Sequence, residues 1–487
     1  MVKSGRIDLK AIARKAMRNY GFETDFPRTV LTQVNAFANL AAGAVKKEVK
    51  DLRGLLWSSI DNEDTMDFDQ VEYCEQNQNG EILVKVAIAD VDAYVPKDSI
   101  LDVHAGKNTT SVYPGIQTFP MLPDQLSKGL SSLIVGEDRL AVVIEFSVRT
   151  TGEVHLGTIY RAIVRNKAKL VYEDVGAWLE GNGERPRVMD NVNGLEAQVW
   201  LQHEASVRLR NYRINLGALE LETLETRAHI QDEKVLGLEV IRANPARYII
   251  ENFMVAANGV MSRFLEGAHI PTIQRVVRIP KDWMGIVALA KTYGTKLPVV
   301  PDAKSLSIFL AKQRKVDPER FPDLSLTVVK LLGSGEYVMF DQDDPIGHFC
   351  LAVKSYTHAT APNRRYVDLV IQRLLKAAME KSDSPYSKDE LSQIAVWCTD
   401  RQKESKKVER FMTKAEASAL LMDKIGQTFE GLVTGASDKG VYARIIDPPV
   451  EGKVTRRMKG LRVGQKVRLR LINLEPEKGY IDFELAP

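Results

Sequence analysis

The densest chemistry in the chain lies in Ile60–Gln70. Five acidic residues, Asp61, Glu63, Asp64, Asp67 and Asp69, fall within nine positions. If the Asp67–Asp69 stretch is extended, side-chain alternation puts both carboxylates on one face, and Asp61 can curl back from the preceding loop to join them. Like charges held that close repel unless a cation sits between them. Hard oxygen ligands of this kind suit Mg²⁺, with Mn²⁺ as a substitute. A calcium loop competes, because Glu72 is twelfth from Asp61, but Met66 stands where such a loop needs glycine for its sharp turn. A solvated acidic turn is the plain alternative.

A second stretch, Tyr356–Leu369, places Arg364 and Arg365 just after Pro362, where a helix is expected to begin. Cations in a first helical turn are disfavoured unless an anion is bound, and a phosphate there resolves the conflict. A salt bridge from these arginines to Asp368 is the competing reading. A third stretch sets Tyr113 beside Pro114-Gly115, a turn that could offer the ring to a nucleobase, although turn packing explains such a tyrosine equally simply. The seven histidines show no paired spacing for a metal or a base.

The elements that must carry these residues can be read from pattern. Of 487 residues, 44% are apolar and 27% charged, ordinary globular usage that excludes a disordered, collagenous or coiled-coil chain. No apolar run approaches a membrane span, and three widely spaced cysteines fit a reducing, cytoplasmic setting. The net charge of +3 hides an asymmetry. Residues 1–50 carry +6 and residues 424–487 carry +4, which leaves −7 for the middle. Basic ends around an acidic body suit a polyanion.

Apolar residues at helical spacing predict one helix over 9–20, stopped at Gly21, and a second after Pro27 along Val30, Val34, Phe37, Ala38 and Ala41. Residues 1–50 thus read as a basic, helix-turn-helix-like module or as a helical cap on the next domain. Strands over 84–88 and 140–148 and helices over 195–213, 244–267 and 391–422 follow. From about 424, five short strands separated by turns predict a small barrel, with Phe429 and Tyr442 as an aromatic platform and Arg444 on its basic rim. The fold class expected is α+β: residues 51–423 form a mixed or antiparallel sheet with surrounding helices, and residues 424–487 a five-stranded OB barrel.

Taken together, these stretches resemble the catalytic RNB domain of the ribonuclease II family from about Asp51 to Met422. The landmarks run from Ser59-Ile60-Asp61 through Gln70, Ala89-Asp90-Val91, Tyr113-Pro114-Gly115, Pro120–Pro123, Tyr172–Val175 and Ile250–Asn252 to Tyr356–Leu369. The last 64 residues resemble an S1-type RNA-binding barrel. The resemblance implies a metal-dependent, hydrolytic 3′→5′ exoribonuclease, acting as a monomer, that threads single-stranded RNA into a channel and releases nucleoside 5′-monophosphates. It implies that Asp61, Asp67 and Asp69 hold the metal, that Arg364 meets the scissile phosphate, that Tyr113 stacks on the terminal base and that Glu409 lies near the 3′ end.

Two departures from the family pattern stand out. Gln70 occupies the place of a fourth aspartate; its amide oxygen can still ligate Mg²⁺ but brings no charge, which leaves a catalytically impaired RNA-binding adaptor as the alternative. Asp64 is a candidate to compensate. Family members also commonly carry cold-shock barrels ahead of the catalytic domain, where only some fifty helical residues stand here. These helices are expected to stand in for that clamp and to admit structured RNA.

Overall fold

The computed structural model describes residues 7–40, 49–223, 225–340, 346–437, 440–456 and 460–486. The basic residues Lys439, Arg457 and Lys459, residue Ala41 and the side chains of Phe37 and Ala38 lie outside the described set.

Runs of alternating and continuous apolar residues build the centre. Strands β1 (Lys50–Asp51), β2 (Ser58–Asp61), β3 (Gln70–Gln76), β4 (Ile82–Ala89), β5 (Asp138–Val148), β6 (Val154–Arg165) and β7 (Ala168–Val171) form one seven-stranded sheet. Its order is β1-β6-β5-β4-β3-β2-β7. The β3–β6 meander is antiparallel, while β1 pairs parallel to β6 and β2 parallel to β7. The sheet is therefore mixed, as the α+β reading requires. Buried side chains on β4 and β5, such as Val84, Val86, Ile144 and Phe146, tie it to the helices in one continuous core. The sheet is the scaffold on which the acidic stretch is hung, between β2 and β3.

The helices are α1 (Leu9–Asn19), α2 (Arg28–Leu40), α3 (Ile100–Asn108), α4 (Tyr172–Leu179), α5 (Leu195–Leu216), α6 (Pro245–Gly267), α7 (Trp283–Thr292), α8 (Ala303–Val316), α9 (Phe321–Leu332), α10 (Tyr366–Glu380) and α11 (Lys388–Leu421). Asn244 caps α6 through its side chain and Pro245 opens it, a placement in which the missing N–H costs nothing. Ser387 and Glu390 close a reciprocal capping box at the head of α11. Apolar side chains of α5, α6 and α10 join the sheet core, whereas α7–α9 pack around their own cluster of Trp283, Phe309 and Phe321. Two antiparallel pairs complete the middle: a hairpin of β8 (Glu225–Gln231) with β9 (Lys234–Ile241), and the long-range pair of β10 (Ile273–Val276) with β11 (Glu336–Met339) across α7–α9.

The C-terminal barrel closes as β12-β13-β14-β16-β15, from β12 (Thr428–Ser437), β13 (Gly440–Ile445), β14 (Glu451–Arg456), β15 (Lys466–Glu475) and β16 (Tyr480–Leu485). The five short strands expected from about residue 424 are thus present and close into the expected barrel. Val433, Ala443, Leu469 and Phe483 fill its interior.

Helices α1 and α2 do not form a self-contained pair. Leu9, Ile12, Ala13, Ala16 and Met17 of α1 share a core with Val408, Met412 and Ala415 of α11, while Val30 and Val34 of α2 belong to the sheet core. Each helix is a cap on a different part of the catalytic body. Part of the basic charge of α1 is already neutralised on the surface, Arg14 by Asp25 and Lys10 by Glu233.

Candidate active site

Strand β2 delivers Asp61, and the chain then loops out through Asn62–Phe68 before β3 begins. Lys169 on β7 pins that loop, donating from Nζ to the carbonyls of Glu63 (2.6 Å) and Thr65 (2.9 Å). Asp61 is almost fully buried, and its Oδ2 has no hydrogen-bond partner among the described residues. Burial pushes its carboxyl up to about 6, against a hydrogen bond with Ser59 and the charge of Lys169.

Asp69 is buried at the mouth of β3. Its Oδ1 accepts the Asn363 backbone N–H at 3.0 Å, and its Oδ2 faces Arg364 Nε at 3.1 Å. Burial pushes this carboxyl up to about 7, and the Arg364 charge limits the rise. The charge of Asp67 raises both buried neighbours. Asp67 itself accepts from the Tyr113 hydroxyl at 3.4 Å. Asp61, Asp67, Asp69, Arg364 and Tyr113 are thus gathered into one cluster.

The arginines sit differently from the expectation. Helix α10 begins at Tyr366, not after Pro362, because Arg364 and Arg365 lie in a turn whose N–H groups bond the Ala361 carbonyl. That turn points Arg364 outward, with 43% of its side chain exposed, and Nε is the only one of its side-chain nitrogens bonded among the described residues. Arg365 turns inward to buried Asp368 at 2.7 Å, which is the salt-bridge alternative. Asp368 also accepts the Ala361 N–H, so this pair builds the turn that presents Arg364.

Tyr113 is 41% exposed as a residue. Its backbone N–H donates to Glu409 on α11 at 3.3 Å, and burial raises the Glu409 carboxyl above its ordinary range. Gln70 opens β3, half-buried, paired with Ile88, while the Asp69 carbonyl accepts from Ala89. Alternation along this extended run turns Gln70 to the sheet face opposite Asp69. Asp64 pairs with Arg227 on β8 and so is drawn away from the cluster. In the barrel, Phe429 packs partly into the interior and Tyr442 is half-buried on β13. Arg444 is not on an open rim: it pairs with Asp323 on α9 at 3.1 Å, tying barrel to body.

Sequence reasoning missed three contributors. Asn363 orients Asp69 through its backbone, Lys169 fixes the acidic loop, and Glu72 on β3 is fully buried with neither carboxylate oxygen bonded. Asn363 lay inside a motif already singled out and Glu72 entered only as the twelfth position of the discounted calcium loop, whereas Lys169 carries no sequence signal, since its place is set by the pairing of β7 with β2.

The donor set fits a hard divalent cation. Burial first, and then the charge of Asp67, raises the Asp61 and Asp69 carboxyls, and Asp61 Oδ2 lies buried and unbonded among the described residues. Among the described residues no three His, Cys, Asp or Glu side chains already converge on one ligating point, since Asp69 is turned to Arg364 and Asn363.

Fold and site together define a catalytic domain of one known class: residues 49–381 match the model of the RNB domain. Residues 427–486 match the RNase II-type exonuclease C-terminal S1 domain. The chain belongs to the ribonuclease II family, built on the RNB domain. Among curated proteins it is 29% identical to ribonuclease R of Vibrio parahaemolyticus over 514 residues, covering 97% of this chain and 60% of that protein. The chain therefore spans about three fifths of the length of such relatives. Among solved structures it is similar to Mycoplasma genitalium RNase R in complex with ribose-methylated single-stranded RNA, with TM-score 0.87, 23% identity, and coverage of 98% of this chain and 78% of that one. The same enzyme in complex with double-stranded RNA matches with TM-score 0.85, 24% identity, and coverage of 98% and 83%. Among the described residues, no helix is long and apolar enough to cross a membrane.

Proposed function

We propose that the chain is a metal-dependent 3′→5′ exoribonuclease that hydrolyses single-stranded RNA to nucleoside 5′-monophosphates. The observation that carries this reading is the Arg364 guanidinium held 3.1 Å from the buried Asp69 carboxylate, with Asp67 near enough to Asp61 and to Asp69 for its charge to raise both. Asp61, Asp67 and Asp69 would hold a bound Mg²⁺, or Mn²⁺ in its place, with Gln70 turned to the opposite face, and the ion would supply Lewis acidity to water and to the leaving 3′ oxygen. Arg364 meets the phosphodiester with the two nitrogens that Asp69 leaves free and stabilises charge developing on the phosphoryl oxygens. Asp69 orients that guanidinium and keeps it from swinging away. Tyr113 offers its exposed ring to the terminal base, and Glu409 fixes the turn that holds it.

The barrel adds RNA affinity through Phe429 and Tyr442, while Arg365 and Arg444 act by holding structure rather than by touching RNA. RNA with a single-stranded 3′ end, structured upstream or not, is the partner, and a monomer is the working unit. Three free cysteines, Cys74, Cys350 and Cys398, suit the cytoplasm. The adaptor reading rests on Gln70 alone, and the retained carboxylates and Arg364 weigh against it. The test uses 5′-labelled RNA in Mg²⁺ with EDTA and Asp69→Asn controls, read on a sequencing gel. Stepwise shortening from the 3′ end with both controls silent supports the enzyme; binding without shortening in Mg²⁺ or Mn²⁺ supports the adaptor.

A further inference from the structure

The turn that carries Tyr113 is held from behind by α1 and α11. Residues Val112 and Phe119 exchange two backbone hydrogen bonds of 2.9 Å, closing a short loop with Tyr113-Pro114-Gly115-Ile116 at its tip. The Val112 and Phe119 side chains are buried in the core shared by α1 and α11, against Ile12, Ala16, Met17 and Met412. Two carboxylates seven residues apart on α11, hence two turns apart on one face, grip the tip. Glu409 accepts the N–H of Tyr113 at 3.3 Å and Glu416 accepts that of Ile116 at 3.0 Å.

Glu416 is nearly inaccessible, at 4% exposure, so it does not serve solubility. Gly115 lies over it with φ +82°, and a Cβ there would collide with the Glu416 carboxylate. The loop on the other side is continuous with the catalytic turn, since Ser111 N–H donates to the Arg364 carbonyl at 2.9 Å.

We propose that Glu416, backed by the apolar face of α1, is a positioning residue that sets where the Tyr113 ring meets the 3′-terminal base. This rests on the reading of Tyr113 as the base-stacking residue. It gives the N-terminal helix a role at the buried end of the RNA path and not as an external clamp. The physical logic is that a half-exposed ring on a proline-glycine turn stacks well only if its backbone is fixed beforehand, because otherwise binding must order the loop.

The experiment measures affinity without turnover: fluorescence anisotropy of a labelled RNA of about five nucleotides, long enough for stacking on few platforms, in EDTA. Glu416→Ala weakens binding about tenfold, the size of one hydrogen bond to a charged group. Glu416→Gln, which keeps the acceptor, stays within about twofold of wild type. Met17→Ala on α1 weakens binding in the same direction. On a Tyr113→Ala background, Glu416→Ala adds nothing, because both act through one ring. An additive double variant, or Glu416→Ala that lowers only the melting temperature, overturns the proposal. If Tyr113→Ala alone leaves affinity unchanged, the reading of Tyr113 fails and the brace with it. If Tyr113→Ala weakens binding and Glu416→Ala does not, the brace alone fails.

Discussion

Arg364 Nε meets Asp69 Oδ2 at 3.1 Å across 295 residues of chain. The pair is lopsided: the carboxylate is 2% exposed and the guanidinium 43%. Asp69 has surrendered its hydration to hold a cation whose other donors remain available. That asymmetry is what an active-site arginine needs, fixed at its root and free at its tip. It makes Asp69 costly to the fold, and on the proposed function it is the group that holds the phosphate-binding arginine in place.

Asp69→Asn should separate those two effects. The amide keeps an acceptor for the Asn363 N–H but abolishes the buried charge. Exonuclease rate in Mg²⁺ is expected to fall by at least about a hundredfold, while the melting temperature rises, as it does when a strained site is relieved. RNA affinity in EDTA is retained. A variant that melts lower than wild type would mean that Asp69 is chiefly structural.

Asp61 and Asp69 have folded pKa values of about 6 and about 7, above the 3.8 of an ordinary aspartate. Between about pH 4 and 7 the folded metal-free protein therefore holds protons that the unfolded chain has released, so stability falls as pH rises through that window. Melting curves in EDTA should show this decline, and Asp69→Asn should flatten its upper part. Because a cation must displace those protons, Mg²⁺ should raise the melting temperature more at pH 8 than at pH 6. Equal shifts at both values would speak against carboxylate ligation.

Replacing Arg364 by Gln should remove one phosphate contact. The slope of log affinity against log salt for single-stranded RNA is expected to become shallower by about 0.7. Arg365→Gln should instead lower stability, because it leaves buried Asp368 without its cation. Titrations at several salt concentrations, with parallel thermal melts, distinguish the two neighbours.

Arg444→Met is predicted to act on domain docking and not on RNA. It leaves Asp323, which burial already raises, without its partner. A loss of about 1–3 kcal/mol in urea unfolding is expected, with RNA affinity within about twofold of wild type. The double variant Arg444→Met/Asp323→Leu should recover most of the stability. A large affinity loss with unchanged stability would restore Arg444 to the RNA surface.

Much of the protein could be read along the chain because the relevant physics is local. Helical periodicity located α1, α5, α6 and α11; turn residues located the five barrel strands; and the spacing of Asp61, Asp67 and Asp69 singled out one acidic stretch as the candidate site. Tertiary structure alone decided what each charged group faces. Arg364 and Arg365 are adjacent and chemically identical, yet one opens onto the site and the other is sealed against Asp368, because a turn sends neighbouring side chains opposite ways. Gln70 is separated from Asp69 by strand alternation, and Arg444 is taken from the barrel rim by Asp323 on α9. The N-terminal helices read as one module but divide between two cores, because an apolar stripe specifies that a face will be buried and leaves open what will cover it.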